Sequence, residues 1–139
     1  MEEKKEIRAI PKVELLFEEN IEAFNRMAMQ GEPPDLTNSN LSGLDLRKAR
    51  LKGLDLSGCY MRNVDLRGMD LSDCNFQGAS LQGALISGAL FPENVPVDEL
   101  KLSITYGTRI RTSDLQRNVR KLVVLLSEAY AVLIDQANK

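Results

Sequence analysis

The chain has 139 residues, with 18 Lys and Arg against 20 Asp and Glu, no histidine and a formal charge of −2. That length allows one domain with terminal accessories, and the near-neutral balance announces no polyanionic or polycationic partner. Without histidine there is no imidazole base, no Ser-His-Asp triad and no histidine-ligated metal, and no run of about 20 apolar residues offers a membrane-spanning helix.

Residues 1–33 read as an N-terminal helical cap. The opening MEEKKEIRAIPK lacks the apolar core of a signal peptide, so a cytoplasmic location is expected. The stretch FEENIEAFNRMAMQG then carries Phe17, Ile21, Phe24 and Ala28 at helical spacing. Gly31 suits the end of that helix, and Pro33 and Pro34 prevent its continuation.

Residues 34–93 follow a different rule. An apolar residue recurs at every fifth position, twelve times without a slip: Leu36, Leu41, Leu46, Leu51, Leu56, Met61, Leu66, Leu71, Phe76, Leu81, Ile86 and Phe91. A period of five is neither the helix period of 3.6 nor the strand period of two, and fixed internal periods signal stacked repeats. Two positions earlier sit small or apolar side chains such as Ala49, Cys59, Val64, Cys74 and Ala79. These share the inward direction of the central residue in extended backbone, so Cys59 and Cys74 are expected as small core residues. One position earlier Asp or Asn is frequent, and two positions later Gly dominates, where the backbone must turn sharply.

This pattern resembles the pentapeptide-repeat family, whose consensus is roughly A-(D/N)-L-x-x. The resemblance implies an all-β solenoid core, a right-handed quadrilateral parallel β-helix of about three coils, with N- and C-terminal α-helices. At about 4.8 Å between adjacent strands such a stack is about 15 Å tall. Its open ends need caps, which the N-terminal helix and the region after Pro92 are placed to supply. Four repeats per coil bring Leu46, Leu66 and Ile86 to the same side. Asp45, Arg47, Asp65 and Arg67 then face outward there as a charge ladder, and Tyr60 and Arg62 are outward too. These six are the candidate surface contacts. Leu85 and Leu90 stand where polar residues are expected, so the C-terminal helices are expected to cover them.

Residues 94–139 form a C-terminal helical region. A short helix is expected over Asp98–Tyr106, stopped by Gly107. Ser113 with Gln116 three residues on suggests a capping box, from which a long helix runs to about Ala137. Leu115, Val119, Leu122, Leu126, Ala129 and Leu133 alternate in steps of four and three, a coiled-coil seam. Val123, Val124, Leu125, Tyr130, Val132 and Ile134 widen the apolar surface beyond it. At about 1.5 Å per residue the helix exceeds the height of the stack, so its surface is expected to meet a second copy, giving a homodimer, another protein, or a fold-back of the N-terminal helix.

These features describe a non-enzymatic protein-binding scaffold with no cofactor, metal or catalytic residue. Two alternatives compete with that reading. Relatives in the resembled family imitate duplex DNA and modulate type II topoisomerases, which needs a long acidic face. Residues 31–93 hold eight acids but also six bases, and the bases interrupt the acidic lines. The second alternative is a nucleic-acid or anionic-membrane contact through the basic segment 109–121, with Arg109, Arg111, Arg117, Arg120 and Lys121. That segment lacks aromatic stacking residues, so neither nucleic acid nor membrane is an expected partner.

Overall fold

A computed structural model describes residues 14–17, 20–31 and 34–138. The N-terminal MEEKKEIRAIPK stretch, Pro33 and the side chain of Phe17, invoked above, lie outside the described residues. Four helices are present in it: α1 (Glu14–Phe17), α2 (Ile21–Met29), α3 (Val97–Tyr106) and α4 (Ser113–Ala137). Between α2 and α3 the chain winds in turns of twenty residues. Parallel bridges link Asn40 to Tyr60 and Tyr60 to Ser80, Asp45 to Asp65 and Asp65 to Leu85, Asp55 to Asn75, and Asp70 to Leu90.

The expected all-β core is not formed. Among the described residues there is no β-strand and no sheet, and the parallel pairing is confined to these isolated single-residue bridges. The reason lies in the five-residue period itself. The carbonyl of each central residue from Leu36 to Ile86 accepts from the amide three positions on, as in Leu56 to Cys59 (3.2 Å), Phe76 to Ala79 (3.0 Å) and Leu81 to Ala84 (2.9 Å). A turn therefore closes in every repeat, and no two consecutive residues remain extended long enough to pair as a strand. The chain is a stack of turns held by short rungs.

Two sequence positions make those turns. Asp or Asn before the central residue accepts from the amide two residues on: Asn40 from Ser42 at 3.1 Å, Asp55 from Ser57 at 2.9 Å, Asn75 from Gln77 at 3.0 Å. This is the Asx-turn geometry. The Gly slot has positive φ, for instance 69° at Gly58, and where Asn replaces Gly, at Asn38 and Asn63, the φ values are 59° and 57°. A Cβ on Gly58 would collide with Oδ1 of Asn38 in the preceding turn, whereas one on Gly53 would meet nothing within 4 Å. Gly58→Ala is therefore expected to lose more stability than Gly53→Ala. The shared left-handed strain costs about 1–2 kcal/mol, and a pair of thermal melts measures the difference.

The core is the stacked central column. Leu36, Leu41, Leu56, Met61, Leu66, Leu71, Phe76 and Leu81 are fully buried, joined by the inner slots Leu54, Cys59, Val64, Cys74 and Ala79. Both thiols are internal donors, Cys59 Sγ to the Leu36 carbonyl at 2.9 Å and Cys74 Sγ to the Leu51 carbonyl at 3.1 Å. Burial raises the pKa of each, so both behave as packing groups.

Each end of the stack carries a cap. Over the first turn, Phe24 of α2 is fully buried. Asn25 donates to the Lys48 carbonyl at 2.9 Å and accepts from the Arg50 amide at 2.7 Å. At the other end, the amide of Gly78 bonds the carbonyl of Ile110 (2.7 Å) and that of Gly83 bonds the carbonyl of Ile104 (3.0 Å). Ser103 Oγ accepts from the Leu81 amide at 2.9 Å. The segment from α3 to Ile110 thus takes the place of a further turn and satisfies donors that would otherwise face solvent at an open edge. The cover is incomplete. Leu85 and Leu90, expected beneath the C-terminal helices, are 49% and 61% exposed, because the segment from α3 to Ile110 lies over the Gly78–Gly83 side and α4 is exposed throughout beyond its first turn.

Candidate functional site

The long helix α4 is anchored at its first turn and unpartnered beyond it. Its N-cap is Thr112, with Oγ1 accepting from the Leu115 amide at 3.5 Å. The expected box at Ser113 and Gln116 is thereby corrected by one residue: Ser113 is the first helical residue and Gln116 Nε2 donates to the Arg111 carbonyl. Tertiary bonds select Thr112. Its amide and hydroxyl both donate to Gln77 Oε1 at 2.9 Å, and the Ser113 amide donates to the Asn94 carbonyl at 2.9 Å.

A clamp holds the approach to this cap. Glu99 of α3 is buried, and Arg111 reaches it with Nε at 2.8 Å, Nη2 at 2.6 Å and its backbone amide at 3.2 Å. The Arg111 side-chain hydrogen bond is the main cause of a Glu99 carboxyl held below the ordinary glutamate range. The native state then binds this proton more weakly than the unfolded chain does. The stabilisation is complete above the unfolded value of about 4.3 and is lost as pH falls through the lowered native value. Glu99→Gln is expected to melt at a lower temperature than the parent at pH 7 and to lose less between pH 5 and 3. Melting temperature against pH for the two chains measures it.

Past the clamp, every described residue of α4 from Arg117 onward is exposed. No other helix packs on it among the described residues. All six seam residues, Leu115, Val119, Leu122, Leu126, Ala129 and Leu133, are in this helix and exposed, as are Val123, Val124, Leu125, Tyr130, Val132 and Ile134. Leu126 and Leu133 stand 61% and 64% open. A contiguous apolar surface of this kind is unusual on an isolated chain. No helix among the described residues is long and apolar enough to cross a membrane.

The lateral face is built differently. Arg47 and Asp45 form a two-pronged pair at 2.9 and 2.8 Å, Arg67 and Asp65 repeat it at 2.9 and 2.7 Å, and Arg47 Nε also lies 3.2 Å from Asp65 one turn on. The Arg47 bonds hold the Asp45 carboxyl down at about 2. Arg62 donates twice to Gln82 Oε1, at 3.2 and 2.7 Å. Tyr60 is covered by Arg109, whose guanidinium carbon sits 4.7 Å from the ring centroid. Arg109 Nη2 donates to the Tyr60 hydroxyl, and Nη1 donates to the Gly78 carbonyl at 2.9 Å. All six candidate contacts thus have partners inside the chain. In segment 109–121, Arg109 and Arg111 are likewise engaged, and Arg117 pairs with Asp114 at 2.7 Å.

Sequence reasoning missed the roles of Glu99, Gln77 and Asn94, which set the base of α4. They are 12 to 35 positions from their partners, and no local pattern marks them. Among the described residues, no group of three His, Cys, Asp or Glu is arranged to hold a metal ion.

The period of five, the Asx turns in front of seven central residues and the glycines after seven of them define one repeating unit. The family model for pentapeptide repeats matches residues 35–68 and 55–91, as eight copies. Residues 35–91 are pentapeptide repeats. These repeats end where Pro92 begins the approach to α3. No curated protein and no solved structure matches it.

Proposed function

We propose that this pentapeptide-repeat protein is a non-enzymatic, cytoplasmic protein-binding scaffold in which the repeats form a rigid body and α4 is a self-association helix that pairs copies of the chain along its seam. The observation that carries this reading is the exposure of α4: a capped and clamped helix of 25 residues with an apolar seam that its own body leaves bare. Covering the open half of its larger apolar side chains is worth on the order of 10 kcal/mol per helix before association costs, enough to offset a substantial part of the about 4–15 kcal/mol lost in translational and rotational freedom.

The face that carries Asp45 and Asp65 favours no charged partner, since both acids are tied to Arg47 and Arg67. An apolar seam also behaves differently from a charged one. Solution mass measured by light scattering is expected to exceed the monomer at micromolar concentration and to stay above it in 1 M salt, where screening acts within about 3 Å. A monomer at every concentration overturns the reading, and assembly that disappears in salt reassigns it to charge.

A further inference from the structure

The seam is only part of the bare surface. At roughly 100° per residue, the apolar residues of α4 from Val132 through Leu133 to Ile134 occupy an arc of roughly 200°. In heptad terms Val119, Leu126 and Leu133 are a positions and Leu122 and Ala129 are d positions. The flanking e and g positions carry Val123, Tyr130, Leu125 and Val132, all more than half exposed. A two-stranded coil covers the a and d seam and leaves such flanks at its rim. Helices apolar at a, d, e and g suit a bundle in which each touches two neighbours.

The charges of α4 say which neighbours. Ser113–Lys121 contains Arg117, Arg120 and Lys121 against Asp114, whereas Leu122–Ala137 contains Glu128 and Asp135 and no base. The helix is therefore complementary to a reversed copy of itself and repels a parallel one, an order the helix dipoles reinforce. Setting Leu126 against Ala129 of the opposing helix also sets Leu122 against Leu133 and Val119 against Gln136. That register brings Arg120 and Lys121 to the level of Asp135. It relieves crowding too, because α4 leaves its body at the first turn, where the Ser113 amide bonds Asn94. An antiparallel arrangement places two bodies at each end.

From these observations we infer that the assembly is a four-chain antiparallel bundle of α4 helices, two seam-paired dimers joined through their e and g flanks. The inference rests on α4 being a self-association helix, and the test separates the two. Light scattering on the full chain is expected to give four times the monomer mass. The double variant Leu125→Gln, Val132→Gln, altered only on the flank, is expected to give twice the monomer mass, a twofold drop. A parent of dimer mass overturns the bundle and leaves self-association standing; a parent monomer overturns both. A flank variant that stays at four chains, or falls to one, also overturns the bundle.

Orientation has its own readout. Under oxidising conditions, full chains carrying Val119→Cys and Gln136→Cys are expected to form a disulfide when mixed and none when alone. A disulfide in the Gln136→Cys sample alone overturns the antiparallel order. Cys59 and Cys74 are buried and do not compete.

Discussion

Leu66→Asp is expected to abolish the cooperative melt of the repeat body. Leu66 is fully buried in the central turn, and its amide donates to the Leu85 carbonyl at 2.9 Å, so the residue holds both a core position and a rung. Truncating a buried leucine costs about 2–5 kcal/mol from lost transfer and the cavity left behind. The carboxylate adds a second cost, because it must either be buried unpaired or remain protonated at neutral pH. The sum reaches the lower part of the roughly 5–15 kcal/mol that holds a small domain together. Circular dichroism during heating reads the outcome. Ser72→Lys is the control: Ser72 is exposed and its hydroxyl bonds only Asp70, at 2.6 Å, so its effect should stay within about 0.5 kcal/mol. A cooperative transition in Leu66→Asp near the parent temperature would mean that the leucine column does not hold the turns together.

The second large effect is expected where stability should not change at all. Leu122→Gln combined with Leu126→Gln removes the middle of the α4 seam, at side chains that are 56% and 61% exposed in the single chain. Loss of body stability is not expected, since neither residue packs on the repeats. Assembly should fail. Burying the open part of each leucine contributes about 1–1.5 kcal/mol, and a pair of chains loses four of them. A loss of about 4 kcal/mol or more weakens self-association by about three decades, so the mass falls to the monomer with the melting temperature of the body unchanged. If the mass persists, α4 does not mediate assembly. If mass and melt fall together, α4 packs on its own body in solution.

The same contrast between local and distant interactions explains which features are legible in the sequence. The core positions, the buried thiols, the glycine slots and the limits of α3 and α4 all follow from spacing along the chain. Spacing is a local quantity: every fifth residue points inward because each repeat repeats the same turn. Even the N-cap of α4 lies within one residue of its expected place, the shift to Thr112 coming from Gln77, 35 positions away. The expectation of strands fails on a local fact, the sharp turn that the glycine slots already announce. A turn in each five-residue unit leaves a single residue for pairing, so the turns stack through isolated bridges and no sheet forms.

By itself, the sequence determined a pentapeptide-repeat core and an apolar C-terminal helix, because period and composition carry both. Only the tertiary structure decided that Arg47 spans from Asp45 to Asp65, that Arg109 covers Tyr60 and Arg111 locks Glu99, and that Leu85 and Leu90 stay open. The physical reason is that these contacts join residues brought together by the stacking of turns, up to 49 positions apart. Their energies depend on distance in space, which no period along the chain encodes. The bare surface of α4 belongs to both accounts: its sequence made it apolar, and the closure of the repeats without it left it uncovered.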